Sequence, residues 1–193
     1  MRIFIDAGAN NSCSARIFRK LYDKHNEYHI YSFEVDPLFL NNFDGIPNLT
    51  FINKALWTDN GTMLFYRSNA RRNDGGTLLK SKRSGTLDKN NPIRVETLDF
   101  SGWILDNFCK SDEIILKMDI EGAEYAVLDR MFDDGSFEYI NELWVEWHWG
   151  KIGMEKEQHD RIANKISIPT RKWAGLEEAE DILGKDYLKE INK

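Results

Sequence analysis

The stretch EIILKMDIEGAEY, residues 113 to 125, is the strongest single indication of the fold. An apolar-rich run up to Met118 is followed by Asp119, a turn that contains Gly122, and a segment with helical spacing from Glu124. An apolar run of this length that ends in polar turn residues is typical of a strand buried on both faces of a parallel sheet. We therefore predict a strand, a tight turn and a helix, with Asp119 at the carboxyl end of the strand.

Similar strand-like runs recur along the chain, with helical or looped segments between them. This alternation predicts an α/β fold with a Rossmann-like, doubly wound, mostly parallel sheet. The predicted strands are residues 2–6, 29–34, 49–53, 61–68, 93–96 (an edge strand), 113–118, 142–146 and 171–174, and the predicted helices are 14–25, 38–43, 100–108 and 124–133.

Length and composition limit the class of protein. The chain of 193 residues is 41% hydrophobic, so we expect one domain over residues 1–193, with a long polar loop at 69–91 and a short, helix-prone C-terminal segment within 151–193. The net charge of -6 disfavours polyanionic partners, and two distant cysteines disfavour a disulfide framework. The sequence has no signal-peptide pattern and no apolar run long enough to span a bilayer, which predicts a cytoplasmic protein.

Polar residues follow the predicted strands, and ligands of open α/β sheets bind at these carboxyl ends. The turn after the first strand reads Asp6-Ala7-Gly8-Ala9-Asn10, where the glycine lets the backbone approach a ligand closely. It lacks the glycine spacing of a pyrophosphate loop, which disfavours NAD and FAD. Glu34, at the end of the second strand, offers two acceptor oxygens for ribose hydroxyls. The combination favours S-adenosylmethionine.

Three residues at neighbouring strand ends are candidates for chemistry on an acceptor. If the acceptor of such a cofactor is a hydroxyl group, its proton has to pass to a base or its pKa has to be lowered by a metal ion, and Asp119 is a candidate for either role. Asp119 and Glu146 offer hard oxygen ligands for Mg²⁺ or Mn²⁺. His148, two residues beyond Glu146, points to the same side of an extended chain and is a candidate base or third metal ligand.

Four stretches of the chain resemble one known family. They are FIDAGAN at residues 4–10, YSFEVDP at 31–37, NKALW at 53–57 and LKMDIEGAEYAVL at 116–128. Together they are similar to the FkbM-type methyltransferases over about residues 3–148, most of the chain. The most specific match is the hallmark Lys-x-Asp-x-Glu-Gly-x-Glu, which falls on Lys117, Asp119, Glu121 and Glu124. Ser12 stands where a second glycine is usual in the first loop.

The resemblance implies the class I methyltransferase fold and an S-adenosylmethionine-dependent O-methyltransferase. Many members of the family act on sugar hydroxyls of polysaccharides, glycolipids or natural products. By resemblance, the cofactor-binding residues are Asp6, Gly8, Asn10 and Glu34, with Asp36 and Ala55 near the adenine or ribose. The hallmark adds Lys117 and Glu121 to Asp119 and His148 as candidate catalytic residues.

Simpler roles remain open for several of these residues. Glu121 and Glu124, and less readily Asp119, can cap the helix that follows, because carboxylates in a first turn satisfy its free amides. Lys117 inside an apolar strand is more readily explained as the ion-pair partner of a nearby carboxylate. His148 lies among tryptophans and can be a packed, hydrogen-bonded histidine.

A basic cluster lies in and beside the polar loop. Such a cluster is usually a solvated surface, and its alternative role is to steer an anionic acceptor. Nucleic acid is disfavoured, because the first loop has no lysine to begin the tetrad typical of RNA 2′-O-methyltransferases. The cluster comprises Arg67, Arg71, Arg72, Lys80, Lys82 and Arg83.

The leading hypothesis is methylation of a sugar or glycan hydroxyl. The alternatives are a metal-dependent O-methyltransferase for a small molecule or nucleic acid, and a non-catalytic cofactor-binding partner protein. The identity of the acceptor and the oligomeric state stay open.

Overall fold

A computed structural model of the chain describes residues 1–69 and 75–173, and it contains two sheets with flanking helices. The strands are β1 (Arg2–Ala7), β2 (His29–Phe33), β3 (Leu49–Ile52), β4 (Ala55–Trp57), β5 (Gly61–Phe65), β6 (Ile93–Asp99), β7 (Glu113–Met118), β8 (Glu142–Val145) and β9 (Thr170–Lys172). The α-helices are α1 (Cys13–Leu21), α2 (Phe100–Asn107), α3 (Glu124–Asp134), α4 (Trp149–Ile152) and α5 (Lys156–Ala163), and 3₁₀ helices lie at Pro37–Phe43 and Ser136–Tyr139.

The larger sheet has six strands in the order β3-β2-β1-β7-β8-β9. Every neighbouring pair in it is parallel. β2 and β3 lie on one side of β1, and β7, β8 and β9 lie on the other side. The strand order therefore reverses between β1 and β7. This confirms the predicted Rossmann-like α/β architecture and places the switch point of the sheet at the ends of these two strands.

Alternate residues of the central strands cover the two faces of this sheet. Ile3 and Ile5 of β1 join a core with Phe100 and Ile104 of α2 and with residues of α3. Phe4, between them, faces the opposite way and stacks on Phe18 of α1 at a ring separation of 3.9 Å. Both faces are therefore covered by helices, which explains why these strands are apolar at nearly every position.

A second sheet has three strands in the order β4-β6-β5. β6 pairs with β4 in parallel and with β5 in antiparallel orientation. The prediction of residues 93–96 as an edge strand was therefore wrong: the strand is longer and central. β4 was missed because it has only three residues, directly after β3, and is stabilised by pairing with a strand some forty residues later.

Two further predictions need correction. The helix predicted at 14–25 ends at Leu21, because the carboxylate of Asp23 accepts hydrogen bonds from the amides of Glu27 and Tyr28 and forms a turn instead. The strand predicted at 61–68 ends at Phe65 and continues only as isolated bridges.

The polar loop predicted at 69–91 is folded against the protein wherever the structure describes it. Thr77, Leu78 and Lys82 are buried, and Tyr66 and Ser68 form bridges to Thr77 and Leu87. The last predicted strand is observed as β9, whereas Ala174 and the helix-prone tail after it lie outside the described residues. Within residues 1–69 and 75–173, every helix is too short or too polar to cross a membrane.

Candidate active site

The switch point brings the turns after β1 and β7 into direct contact. The backbone N–H of Asp119 donates to the carbonyl oxygen of Ala7 at 3.1 Å. Gly8 has a φ of +80°, and a Cβ at this position would lie 1.9 Å from the carbonyl oxygen of Asp119. A side chain at residue 8 would thus push the two strand ends apart, which explains the glycine in the first loop.

A buried ion pair joins these two strands. Nζ of Lys117 lies 3.3 Å from Oδ1 of Asp6 and donates to the carbonyl oxygen of Gly8 at 2.7 Å. Burial alone would lower the pKa of Lys117, but the nearby carboxylates of Asp6 and Asp119 more than offset it, so the pKa is raised. The other oxygen of Asp6 accepts from Ser14 of α1. The geometry favours a structural ion pair for Lys117.

Glu34 lies one residue after β2, and its carboxylate is held by two loops. Its Oε2 accepts from the backbone N–H of Asn10 at 2.8 Å, and its Oε1 accepts from that of Asp36 at 2.7 Å. Burial raises the pKa of Glu34 to about 7 against the opposing effect of these amides. Each oxygen retains a lone pair for a further donor.

Asp36 and Ala55, which were expected near the adenine or ribose, line the same cavity as Glu34. Asp36 is buried, accepts from the amide of Leu38, and forms a two-point ion pair with Arg67 at 2.7 and 2.9 Å. Ala55 is buried in β4. Ser12 has a φ of 68°, a left-handed conformation that a glycine adopts readily, and this accounts for the glycine usual at the position.

A cavity of about 600 Å³ connects the two groups of strand ends. This volume lies in the range of sites for molecules of cofactor size. Sequence-predicted site residues that line the cavity are Gly8, Asn10, Glu34, Asp36, Ala55, Lys117, Asp119, Glu121 and Glu146.

Beyond the ends of β7 and β8, acidic side chains converge on His148. Nε2 of His148 lies 3.2 Å from Glu121, 3.5 Å from Glu146 and 3.8 Å from Asp119. Single ligand atoms of Asp119, Glu146 and His148 lie within 4.8 Å of one another. Burial, with the neighbouring carboxylates of Glu146 and Glu121, raises the pKa of Asp119 to about 6 against the effect of Lys117. The structure therefore brings together the three residues that we expected as base or metal ligands.

Glu124, matched to the hallmark but assigned no chemical role by sequence, is a central part of this cluster. It is fully buried and binds Nδ1 of His148 through Oε1 at 2.9 Å. Its oxygens also accept from the amides of Ile120 and Gly122, both at 2.9 Å. The hallmark spacing was the only signal for this residue, because its partner lies 24 residues away in the sequence.

Glu121 does not cap α3 but faces the polar loop. Its Oε2 binds Nζ of Lys82 at 2.5 Å, and its backbone carbonyl accepts from Thr77 at 2.8 Å. Lys82 is 2% exposed and also donates to the carbonyl oxygen of Gly75 at 2.7 Å. We call residues 75–85 the strap, since this segment packs on the acidic cluster.

The basic cluster is therefore not one solvated surface. Lys82 and Arg67 are engaged in internal ion pairs with Glu121 and Asp36, whereas Lys80 and Arg83 are exposed. Arg71 and Arg72 lie outside the described residues.

Comparison with known families gives a match over most of the chain. A family model described as the methyltransferase FkbM domain matches residues 6–173, a range that includes both strand ends and the acidic cluster. The chain belongs to the FkbM methyltransferase family. The resemblance drawn from the four sequence stretches is thereby confirmed, and the chain is a methyltransferase with S-adenosylmethionine as the donor that this membership implies. Comparison with curated proteins and with solved structures gives no match.

Proposed function

We propose that this FkbM-family protein transfers a methyl group from S-adenosylmethionine to a hydroxyl group of a sugar or glycan. One observation carries the proposal: a single cavity is lined by Glu34 beyond β2 and by Asp119, Glu121 and Glu146 beyond β7 and β8. A site for a nucleoside and a site for a hydroxyl group thus share one cavity.

The residues around Glu34 fit the cofactor. The two amides fix the carboxylate of Glu34 in a cavity wall, where its free lone pairs can accept from the two hydroxyls of a ribose. Gly8 and Asn10 line the same wall and allow the first loop to approach a ligand closely. The bound cofactor supplies an electrophilic methyl group on a sulfonium sulfur.

The acidic cluster fits the acceptor. As the acceptor oxygen bonds to the methyl carbon, the bond from that carbon to sulfur breaks and sulfur keeps the electron pair. The hydroxyl proton passes to a carboxylate, for which Asp119 is the candidate because it lies in the cavity wall beside the switch point. Lys82 lies beside Glu121 and Lys151 beside Glu146 in this wall, and such neighbouring donors and acceptors suit a ligand with several adjacent hydroxyls.

Two measurements test the proposal. Calorimetry with S-adenosylhomocysteine should show binding that is lost or weakened in Glu34→Ala. No binding to the wild type would contradict the proposal that S-adenosylmethionine is the cofactor. Transfer of labelled methyl groups to a panel of glycans, nucleotides and catechols should label a glycan. Binding of the cofactor without transfer to any acceptor would instead favour a non-catalytic partner protein.

A second candidate is a methyl transfer to a small molecule or nucleic acid that a divalent cation assists. The close approach of Asp119, Glu146 and His148 favours it, because two carboxylate oxygens and one imidazole nitrogen suit Mg²⁺ or Mn²⁺. A cation at these residues would lower the pKa of the acceptor hydroxyl. Activity that survives a chelator would contradict this candidate.

A further inference from the structure

Glu124 makes more hydrogen bonds than the start of a helix requires. It is the first residue of α3, it is fully buried, and its carboxylate has three hydrogen-bond partners. Oε1 accepts from the amide of Ile120 and binds Nδ1 of His148, while Oε2 accepts from the amide of Gly122. These contacts connect the turn after β7 to His148, which lies three residues after the end of β8.

Only a carboxylate satisfies this arrangement. Both oxygens of an ionised glutamate are acceptors, whereas a glutamine would direct its NH₂ group against the N–H of Ile120 or of Gly122. The bond from His148 therefore ends on an acceptor, so the hydrogen of a neutral imidazole ring lies on Nδ1.

The opposite ring nitrogen then carries a lone pair. Nε2 of His148 is buried and has no hydrogen-bond partner among residues 1–69 and 75–173. It faces carboxylate oxygens of Glu121, Glu146 and Asp119 at 3.2 to 3.8 Å. In the neutral ring, four acceptor atoms thus converge, which is an arrangement that a cation or a transferred proton would satisfy. Burial lowers the pKa of His148, but the carboxylates of Glu124, Glu121 and Asp119 more than offset it and raise the pKa, which agrees with a position that favours positive charge.

We propose that Glu124 is the positioning residue of this site: it holds the hydrogen of the neutral His148 ring on Nδ1 and keeps the Nε2 lone pair directed at Asp119 and Glu146. The inference rests on the proposed function in that it assigns the acidic cluster to the acceptor half of the site. Partners that orient a ligating histidine in this way typically change metal affinity by about 10- to 100-fold when removed.

The first test is the tautomer of His148. Protein labelled with ¹⁵N at its 4 histidines is studied by long-range ¹H–¹⁵N correlation at a pH where the rings are neutral, with His148→Gln to assign the signals. The wild type should show the Nδ1–H form, and Glu124→Gln should shift the ring to the Nε2–H form. Asp129→Asn, which removes a surface carboxylate of the same helix, should leave the wild-type form unchanged.

Binding of Mn²⁺ alone, measured by calorimetry, gives the second readout. Glu124→Gln should weaken it about 10- to 100-fold and leave S-adenosylhomocysteine binding at Glu34 unchanged. An Nε2–H ring in the wild type overturns the inference even if the variant does not fold, and so does unchanged Mn²⁺ affinity in a folded Glu124→Gln protein.

Failure of the proposed function is distinguishable from these outcomes. If the wild type does not bind Mn²⁺, the cation-assisted candidate fails and the tautomer spectra alone decide the role of Glu124. If S-adenosylhomocysteine does not bind, the methyltransferase proposal fails while the tautomer and Mn²⁺ results keep their meaning.

Discussion

The two ends of the cavity hold their carboxylates in different ways. At the cofactor end, backbone amides from the adjoining loops satisfy both oxygens of Glu34. At the proposed acceptor end, Asp119, Glu121 and Glu146 converge on one histidine nitrogen, and Lys82 and Lys151 form ion pairs with Glu121 and Glu146. The first end holds one carboxylate on main-chain donors, whereas the second gathers three carboxylates around a buried histidine. Burial raises the pKa of Glu34 to about 7 and that of Asp119 to about 6, and shifted pKa values at both ends are typical of functional sites.

The largest effect should come from Asp119→Asn. If Asp119 accepts the hydroxyl proton, the loss of its charge should lower turnover about 10²- to 10⁴-fold, with the affinity for S-adenosylhomocysteine nearly unchanged. Steady-state methyl transfer and calorimetry measure the two quantities, and Asp133→Asn, an exposed change in α3, is the control. Full activity in Asp119→Asn would show that the residue is structural.

The strap should matter for stability. Lys82→Met removes the cation that holds Glu121 and leaves a half-buried carboxylate beside His148, so the free energy of unfolding should fall by about 3 kcal/mol. Urea unfolding of this variant and of the exposed control Lys80→Met measures the difference. Equal stability of the two variants would contradict an anchored strap.

At the cofactor end, Glu34→Ala should weaken S-adenosylhomocysteine binding about 10- to 100-fold, since hydrogen bonds to a charged group contribute about 1.5 to 3 kcal/mol. Calorimetry measures the affinity, and circular dichroism checks the fold. Glu157→Ala, at an exposed position of α5, should bind like the wild type. An affinity that does not change in Glu34→Ala would place the ribose elsewhere.

The pH dependence of binding should follow Glu34. Because burial raises its pKa to about 7, half of the carboxyl groups are protonated at that pH, and affinity for S-adenosylhomocysteine should rise as pH increases through 7. The raised pKa also means that the stability contributed by the protonated group is present at low pH and lost as pH rises through 7. Calorimetry from about pH 6 to 8, roughly one unit on each side of this pKa, measures the S-adenosylhomocysteine affinity. The affinity should depend on pH in the wild type and much less in Glu34→Gln. A persistent slope would assign the titration to another group.

Much of the fold follows from local patterns in the sequence. Strands β1, β7 and β8 are covered on both faces, so each one is a nearly continuous apolar run that ends at a polar residue. Polar residues at the carboxyl ends of β1, β2 and β7, namely Asp6, Glu34 and Asp119, were therefore identifiable, since the carboxyl ends of parallel strands lie at one edge of the sheet. The second sheet was not predicted, because β4 depends on pairing with β6 rather than on its own short sequence.

The ion pair that Lys82 forms with Glu121 was also not predictable from the sequence. Its segment reads as a polar loop, and a lysine there is ordinarily solvated. The amine becomes buried beside Glu121 only because the strap packs against the turn after β7. Lys82 is therefore not part of an exposed basic surface.

The sequence by itself determined the family, the parallel sheet and the strand ends that carry polar residues, because these depend on local hydrophobic patterning and on a specific short motif. Tertiary structure alone decided which of these residues meet. Glu124 and His148 are 24 positions apart, and their hydrogen bond forms only because β7 and β8 are neighbours in the sheet. That adjacency converts a carboxylate at the start of a helix into the partner that orients a histidine.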